Sequence, residues 1–402
     1  MTAAASSTGV TIRVVSLVSV VHMMSHIFHQ ALHPLFPTLT IELGISYTAL
    51  GFVMTSFSLA TAIGQTPISF LVDRIGGKAV LVAGLALQAA AVGAIGLTGS
   101  YWSMLALFTL AGLAHSVYHP ADYSILSRTV DRSRLARAFT LHSSAGNLGT
   151  MLGPLIVVGL TGLWGWKAAC MALGGFGMFM VLALWTQGDL LPRPRDSTTA
   201  GHHADTDGWR DGLAMLMSPP MLMCFAFFVV LTMAFSGVRI YIVAAMHEIY
   251  GASVAEGTLV LTAFSAGMIG GMLLGGSIAD RYGPRVLIAV LGLVGASVLL
   301  LLVGSGALPM ALAGGALCGA GFMRGFVQGV RDLMVFRATP DGAHGKAFGF
   351  VSTGSHVGHA LMPLVFGTVM DMGHPSWVFG IAAFLSVAAL ATFATVRRRI
   401  LA

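Results

Sequence analysis

Phe70-Leu71-Val72-Asp73-Arg74-Ile75-Gly76-Gly77-Lys78 and Ser277-Ile278-Ala279-Asp280-Arg281-Tyr282-Gly283-Pro284-Arg285 are two versions of one charged turn, each closing a long apolar run. Asp73 and Asp280 stand 207 residues apart in a chain of 402. Other pairs keep nearly the same interval. Ala138-Phe139 matches Ala347-Phe348, and Ser143, Gly149, Leu152, Pro154 and Leu155 match Ser352, Gly358, Leu361, Pro363 and Leu364, all at an offset of 209. Phe57-Ser58 likewise matches Phe264-Ser265. Two parallel copies of one helical unit, related by an axis along a membrane normal, are what such repetition implies.

Composition places the chain in lipid. Apolar residues make up 56% and charged residues 9%, with a mean hydropathy of +0.85, whereas soluble domains carry about 25% charged residues. At about 20 apolar residues per span, twelve helices are expected, over roughly 12–33, 46–71, 78–98, 102–122, 138–161, 166–186, 219–246, 257–279, 284–304, 308–330, 347–370 and 376–396. The fold class is therefore an all-α membrane protein of two pseudo-symmetric six-helix bundles. The polar stretch 187–212 reads as a cytoplasmic linker between bundles at 1–186 and 213–402. Of 21 Lys and Arg residues, 17 fall at the termini or in alternate loops on one side, and the opposite loops hold only Lys167. The positive-inside rule then puts both termini in the cytoplasm, as an even number of spans requires. Cys170, Cys224 and Cys318 lie in separate apolar spans, which suggests neither a disulfide framework nor a thiolate metal site. The net charge of +6 is spread along the cytoplasmic face and implies no nucleic-acid partner.

With these residues in place, the chain resembles the major facilitator superfamily over essentially its full length. In that family's turn signature, Gly-x-Leu-Ala-Asp-Arg-x-Gly-Arg-Lys, the positions of Leu71, Asp73, Arg74, Gly76 and Lys78 fit, while Ser69 and Gly77 depart from it. The second copy keeps Gly276, Ala279, Asp280, Arg281, Gly283 and Arg285. Gly149-Thr150-Met151-Leu152-Gly153-Pro154 is similar to the core of the family's antiporter motif, without the two glycines that normally follow. His119-Pro120 and Ser144-Ala145-Gly146-Asn147-Leu148-Gly149 resemble the fosmidomycin-resistance branch, whose members are proton-driven exporters of a phosphonate or other small drugs. The resemblance implies gating roles for Asp73, Arg74, Gly76, Lys78, Asp280, Arg281, Gly283, Arg285, Gly149, Gly153 and Pro154. A carboxylate at a helix end can cap a neighbouring helix or pair with arginine in one conformation and release it in another.

Ionisable groups at membrane depth cost about 2.5–3.5 kcal/mol each and by default mark function. His22, His26, His29 and His33 are spaced 4, 3 and 4 and fall within about 60° of one another on a helix. His115 and His119 share a face of the fourth expected helix, Arg239 lies in the seventh, and Arg324 and Gln328 lie in the tenth. In the repeat, Arg324 takes the place of His115 and Gln328 that of His119. The resemblance makes these four helices the ones that line a central cavity. Placing four such groups on lipid instead would cost roughly 10 kcal/mol.

The candidate substrate-binding residues are thus His22, His26, His29, His115, His119, Arg239, Arg324 and Gln328. His26, His115, Asp122 and Asp332 are candidates for proton coupling, since imidazoles titrate near neutral pH. Guanidinium groups without counter-charge favour carboxylate or phosphonate oxygens. The expected function is proton-coupled export of a small anionic or zwitterionic compound by alternating access. The expected partners are substrate, protons and the lipid bilayer, and the expected setting is a monomer in a bacterial inner membrane. Import of a small organic anion, and transport of a metal or metal chelate, are the alternatives. His22-x-x-x-His26, His115-x-x-x-His119 and His356-x-x-His359 also resemble histidine boxes of membrane metalloenzymes, a remote reading that leaves the repeat unexplained. No enzyme activity, resident metal or cofactor is assigned. His142, His356 and His359 divide evenly between gating and packing roles.

Overall fold

The computed structural model describes residues 2–187, 214–282, 286–339 and 344–400. Apart from Gln187, the expected linker lies outside them, as do Gly283 and Arg285; the side chains of Asp73, Asp280 and Asp332 also lie outside the described set. Among the described residues the chain is helical throughout, with no strand. Eight helical segments among the described residues are long and apolar enough to cross a membrane, and one of them, Arg137–Thr186, spans 50 residues.

The elements are α1 (Thr2–His29), α2 (Phe36–Leu43), α3 (Tyr47–Ile75), α4 (Gly77–Ile95), α5 (Tyr101–His115), α6 (Tyr118–Thr129), α7 (Arg132–Thr186), α8 (Pro219–Tyr250), α9 (Val254–Tyr282), α10 (Val286–Gly304), α11 (Met310–Ala338), α12 (His344–Asp371) and α13 (Ser376–Ile400). Three details differ from the sequence expectation. The expected first helix, 12–33, ends at His29, and a short 3-10 turn, His33–Leu35, leads into α2. The expected fourth helix is interrupted between His115 and Tyr118, because Pro120 has no N–H to return to the preceding turn. The expected fifth and sixth helices form the single run α7, broken at Gly165, whose φ of 81° only glycine adopts freely.

The chain divides into two compact units. The first comprises Met1–Ile45 and Phe52–Thr199; the second comprises Ser46–Gly51 and Ala200–Ala402. Within each, glycines set how closely helices pack. A Cβ on Gly267, Gly271 or Gly275 of α9 would come within 1.9–2.2 Å of a carbonyl oxygen of Cys318, Phe322 or Phe326 on α11. Gly321 and Gly325 of α11 return the contact against Phe264 and Met268. This is small-residue packing, which lets backbones approach where lipid supplies no hydrophobic drive between helices. In the first unit Gly112 meets the Phe57 carbonyl oxygen in the same way, at 2.4 Å from a built Cβ, and Gly149 meets that of Met23 at 2.3 Å.

In the second unit, the first turn of α3 is capped from far along the chain. The Asp371 carboxylate accepts from the backbone N–H groups of Tyr47 and Thr48 at 2.7 and 2.8 Å. The Tyr47 hydroxyl donates to Glu248, and the Tyr241 hydroxyl lies 2.7 Å from the Pro363 carbonyl oxygen. A carboxylate at a helix N-terminus satisfies donors that have no partner within the helix.

Candidate functional site

The first unit gathers its histidines into one array along α1. Starting at the far end, His33 bonds the Gln30 side-chain oxygen, and its ring lies 5.4 Å from that of His29. His29 stacks on Phe57 at 4.7 Å and lies 5.8 Å from His115. His115 in turn lies 5.9 Å from His26, and His26 lies 4.8 Å from His22. Three of the four histidines expected on one helix face, His22, His26 and His29, lie on α1, whereas His33 lies past its end in a short 3-10 turn, His33–Leu35; α5 adds His115 to the array. Hydrogen bonds orient several rings. The Thr150 hydroxyl donates to the Gly146 carbonyl, so it accepts from His26 Nδ1 at 2.9 Å. Gln88 Nε2 approaches His115 Nδ1 at 3.3 Å, and Gln88 is fixed by the Tyr118 hydroxyl donating to its side-chain oxygen at 2.7 Å.

At the other end the array meets a carboxylate. His22 Nδ1 lies 3.2 Å from Asp122 Oδ2, and His142 Nε2 lies 3.4 Å from the same oxygen. Asp122 and His142 are wholly buried, and His22 is 2% exposed. The His119 ring is 5.2 Å from that of His22, and the His142 ring 4.0 Å. Gly146 makes room for this end, since a Cβ there would come 2.9 Å from the His22 ring and 3.0 Å from His26 Nε2. The sequence divides His142 between gating and packing and does not name it for substrate binding or proton coupling. It stands among other polar residues of α7, Ser143, Ser144 and Asn147, and nothing in its spacing singles it out. Gln88, Tyr118 and Thr150 are also not read as site residues from the sequence.

The second unit assembles a different chemistry. The Arg239 guanidinium of α8 approaches His359 Nε2 of α12 at 3.5 Å. His359 Nδ1 lies 2.8 Å from the Ser355 carbonyl oxygen, which can only accept. The proton therefore sits on Nδ1, and the Nε2 lone pair faces the arginine. Arg324 of α11 lies over the Phe235 ring at 5.6 Å and reaches the Gln328 side-chain oxygen at 3.4 Å. Arg239 Nε has no hydrogen-bond partner. Among the described residues no carboxylate lies within ion-pair distance of Arg239.

The packing glycines register the two units residue by residue. Gly149 meets the Met23 carbonyl and the His26 Cβ; its repeat mate Gly358 meets the Val229 carbonyl and the Thr232 Cβ, each 206 residues on along the chain from the first-unit pair. Gly112 on the Phe57 carbonyl corresponds to Gly321 on the Phe264 carbonyl. In this register His29 stacked on Phe57 corresponds to Phe235 stacked on Phe264. The His29–His115 contact becomes the Phe235–Arg324 contact. His22 beside Asp122 becomes Phe228 beneath Arg331, at 4.2 Å. His33 falls at the place of Arg239.

The sequence profile of the Major Facilitator Superfamily matches residues 18–247 and 228–400. The chain belongs to that superfamily. The fosmidomycin resistance protein of Escherichia coli is 23% identical over 281 residues, covering 68% of this chain and 67% of that protein. The probable galactarate/D-glucarate transporter GudP of the same organism is 27% identical over 150 residues, covering 36% of this chain and 33% of that one. A crystal structure of a mutant of the nucleoside transporter NupG superposes with a TM-score of 0.77 at 15% identity, covering 95% of this chain and 99% of that one. The chain is accordingly an integral membrane transporter of small organic substrates, not an enzyme.

Several superfamily signature positions now have physical roles. Gly76 alone joins α3 to α4 and takes a φ of 87°, so the signature glycine answers a conformational demand. Arg74 and Arg281 are exposed, and Lys78 is half-buried. Gly149 and Gly153 pack α7 against α1, with Gly153 facing Ile27 and Gln30, and Pro154 is buried one residue on.

Proposed function

We propose that this superfamily member is a proton-coupled secondary transporter that exports a small organic anion or zwitterion by alternating access. The observation that carries the substrate class is Arg239. It is a guanidinium well inside α8, steadied by a neutral imidazole and by no described carboxylate. Such a group is costly within a membrane unless a ligand compensates it, and its planar donor fork suits carboxylate or phosphonate oxygens. Arg324, Gln328 and His359 belong to the same patch. The name of the fosmidomycin resistance relative supports export, and that of GudP supports an organic substrate.

Asp122 with His22 and His142 is the proposed proton carrier. A carboxylate and imidazoles buried together cannot all be charged without a large desolvation cost. One transferable proton among them keeps the cluster near neutrality, and its loss or gain gives transport a coupling step. His26 and His115 extend the path along α1. The charge asymmetry of the loops supports a bacterial inner membrane with both termini in the cytoplasm, the working unit being one chain.

The test uses proteoliposomes under an imposed pH gradient, with radiolabelled phosphonates, carboxylates and lipophilic cations. Gradient-driven movement of an anion, lost in Arg239→Ala and uncoupled from the gradient in Asp122→Asn, is the expected result. Movement of cations only, or normal anion transport by Arg239→Ala, would refute the substrate class.

A further inference from the structure

The end of the histidine array has a geometry that proton sharing alone does not explain. One ring nitrogen from each of His22, His119 and His142 can be chosen so that all three lie within 4.8 Å of one another. The Asp122 carboxylate adds an oxygen 3.2 Å from His22 Nδ1 and 3.4 Å from His142 Nε2. Despite those distances, neither oxygen of Asp122, neither nitrogen of His142 and not His22 Nδ1 makes a hydrogen bond of acceptable angle. These groups are close without pointing donor to acceptor. That is how ligands stand around a third, shared centre.

We propose that His22, His119, His142 and Asp122 form a binding site for one divalent transition-metal ion of the Zn²⁺ class. A tetrahedral ion with bonds of about 2.0–2.1 Å to imidazole nitrogen and carboxylate oxygen holds its ligand atoms about 3.3 Å apart. Both measured nitrogen–oxygen distances already match that edge. The three imidazole nitrogens close by ring rotation from within 4.8 Å of one another; Asp122 is not within that distance of all three, so its carboxylate and the His119 ring must approach to complete the shell. Three imidazoles with one carboxylate suit borderline ions such as Zn²⁺ or Co²⁺ rather than Mg²⁺ or Ca²⁺, which take oxygen. The ligands come from α1, α6 and α7, so the ion would tie three helices of the first unit together. The site goes beyond the transport reading and does not rest on it. The two share Asp122, and a bound ion would occupy the carboxylate that the proposed proton uses.

The experiment reads metal rather than transport. The full-length protein, purified through a tag without histidine and stripped with a chelator, is titrated with Co²⁺ in detergent. The expected result is one equivalent bound with the intense visible bands of a tetrahedral site, displaced by Zn²⁺ and accompanied by a higher melting temperature. Asp122→Asn and His142→Asn are expected to weaken binding tenfold or more, while His33→Gln, at the far end of the array, binds as wild type does. X-ray absorption of the Zn²⁺-loaded wild type supplies a measurement that needs no variant, and is expected to show three imidazoles and one oxygen. Failure to bind one equivalent, binding unchanged in both variants, equal loss in His33→Gln, or a zinc shell lacking three imidazoles would each overturn the site. None of these results would touch the anion-transport reading.

Discussion

Replacing Gly149 by alanine tests whether the superfamily's Gly-x-x-x-Gly-Pro segment acts here through close packing. A Cβ at 149 would stand 2.3 Å from the Met23 carbonyl oxygen and 3.1 Å from the His26 Cβ, where ordinary contact begins at 3.4 Å. The carbonyl belongs to a helix backbone and cannot rotate aside, so α1 and α7 must separate by about 1 Å. Overpacking of this kind costs about 1–3 kcal/mol, and the upper part of that range applies against rigid backbone. Alanine's better helix propensity returns about 1 kcal/mol, which leaves a net loss of about 2 kcal/mol. Gly159 lies in the same helix with nothing within 4 Å of its Cβ position. Gly159→Ala should therefore keep the propensity gain of up to about 1 kcal/mol. Melting temperatures in one detergent should move in opposite directions, down for Gly149→Ala and up or unchanged for Gly159→Ala. A common shift of similar size would refute the packing argument and return Gly149 to a purely conformational role.

Two further outcomes follow from single contacts. Asp371→Ala removes both bonds that cap Tyr47 and Thr48 and should cost about 1 kcal/mol. Faster amide exchange confined to the first turn of α3 is the measurement, and unchanged exchange there would show the cap to be idle. Gly76→Ala forces a side chain into a φ of 87°, at a cost of about 1–2 kcal/mol. Lower thermal stability with the helices intact by circular dichroism is expected, and a wild-type melting temperature would contradict it.

What the sequence made legible was whatever backbone geometry restricts. Gly76, Gly149 and Gly358 sit where a positive φ or a touching carbonyl admits no side chain, so the repeat survives at such positions. The stripe on α1 was legible because His22, His26 and His29 recur at helical spacing, whereas the end of α1 before His33 was not. The correspondence of α1 with α8 was not, because their contacts with Gly149 and Gly358 engage carbonyls and Cβ atoms of unlike residues, Met23 against Val229 and His26 against Thr232. Pro120 was visible as part of a motif, but its effect as a helix break emerges only with α5 and α6 in place. Asp371 caps a helix that starts more than 300 residues earlier, beyond the reach of any local capping signal.

The register between the units also explains how one scaffold holds two chemistries. At each compared position the ring or its neighbour changes while the stacking remains: His29 on Phe57 against Phe235 on Phe264, and His115 against Arg324. The sharpest exchange is at Asp122, whose counterpart Arg331 reverses the charge, with Phe228 in place of His22 to receive the cation on its face. Aromatic and imidazole rings are close enough in shape to pack alike, so such exchanges leave the helix seams undisturbed. What they alter is which charges can move. Imidazoles and a buried carboxylate can take up and release a proton or a metal ion, whereas guanidinium groups stay charged at any ordinary pH. On the proposed function, the first unit serves a titrating or exchangeable cation, and the second a fixed positive charge that an anionic substrate neutralises. A duplicated fold that had kept the same residues in both copies could supply only one of these.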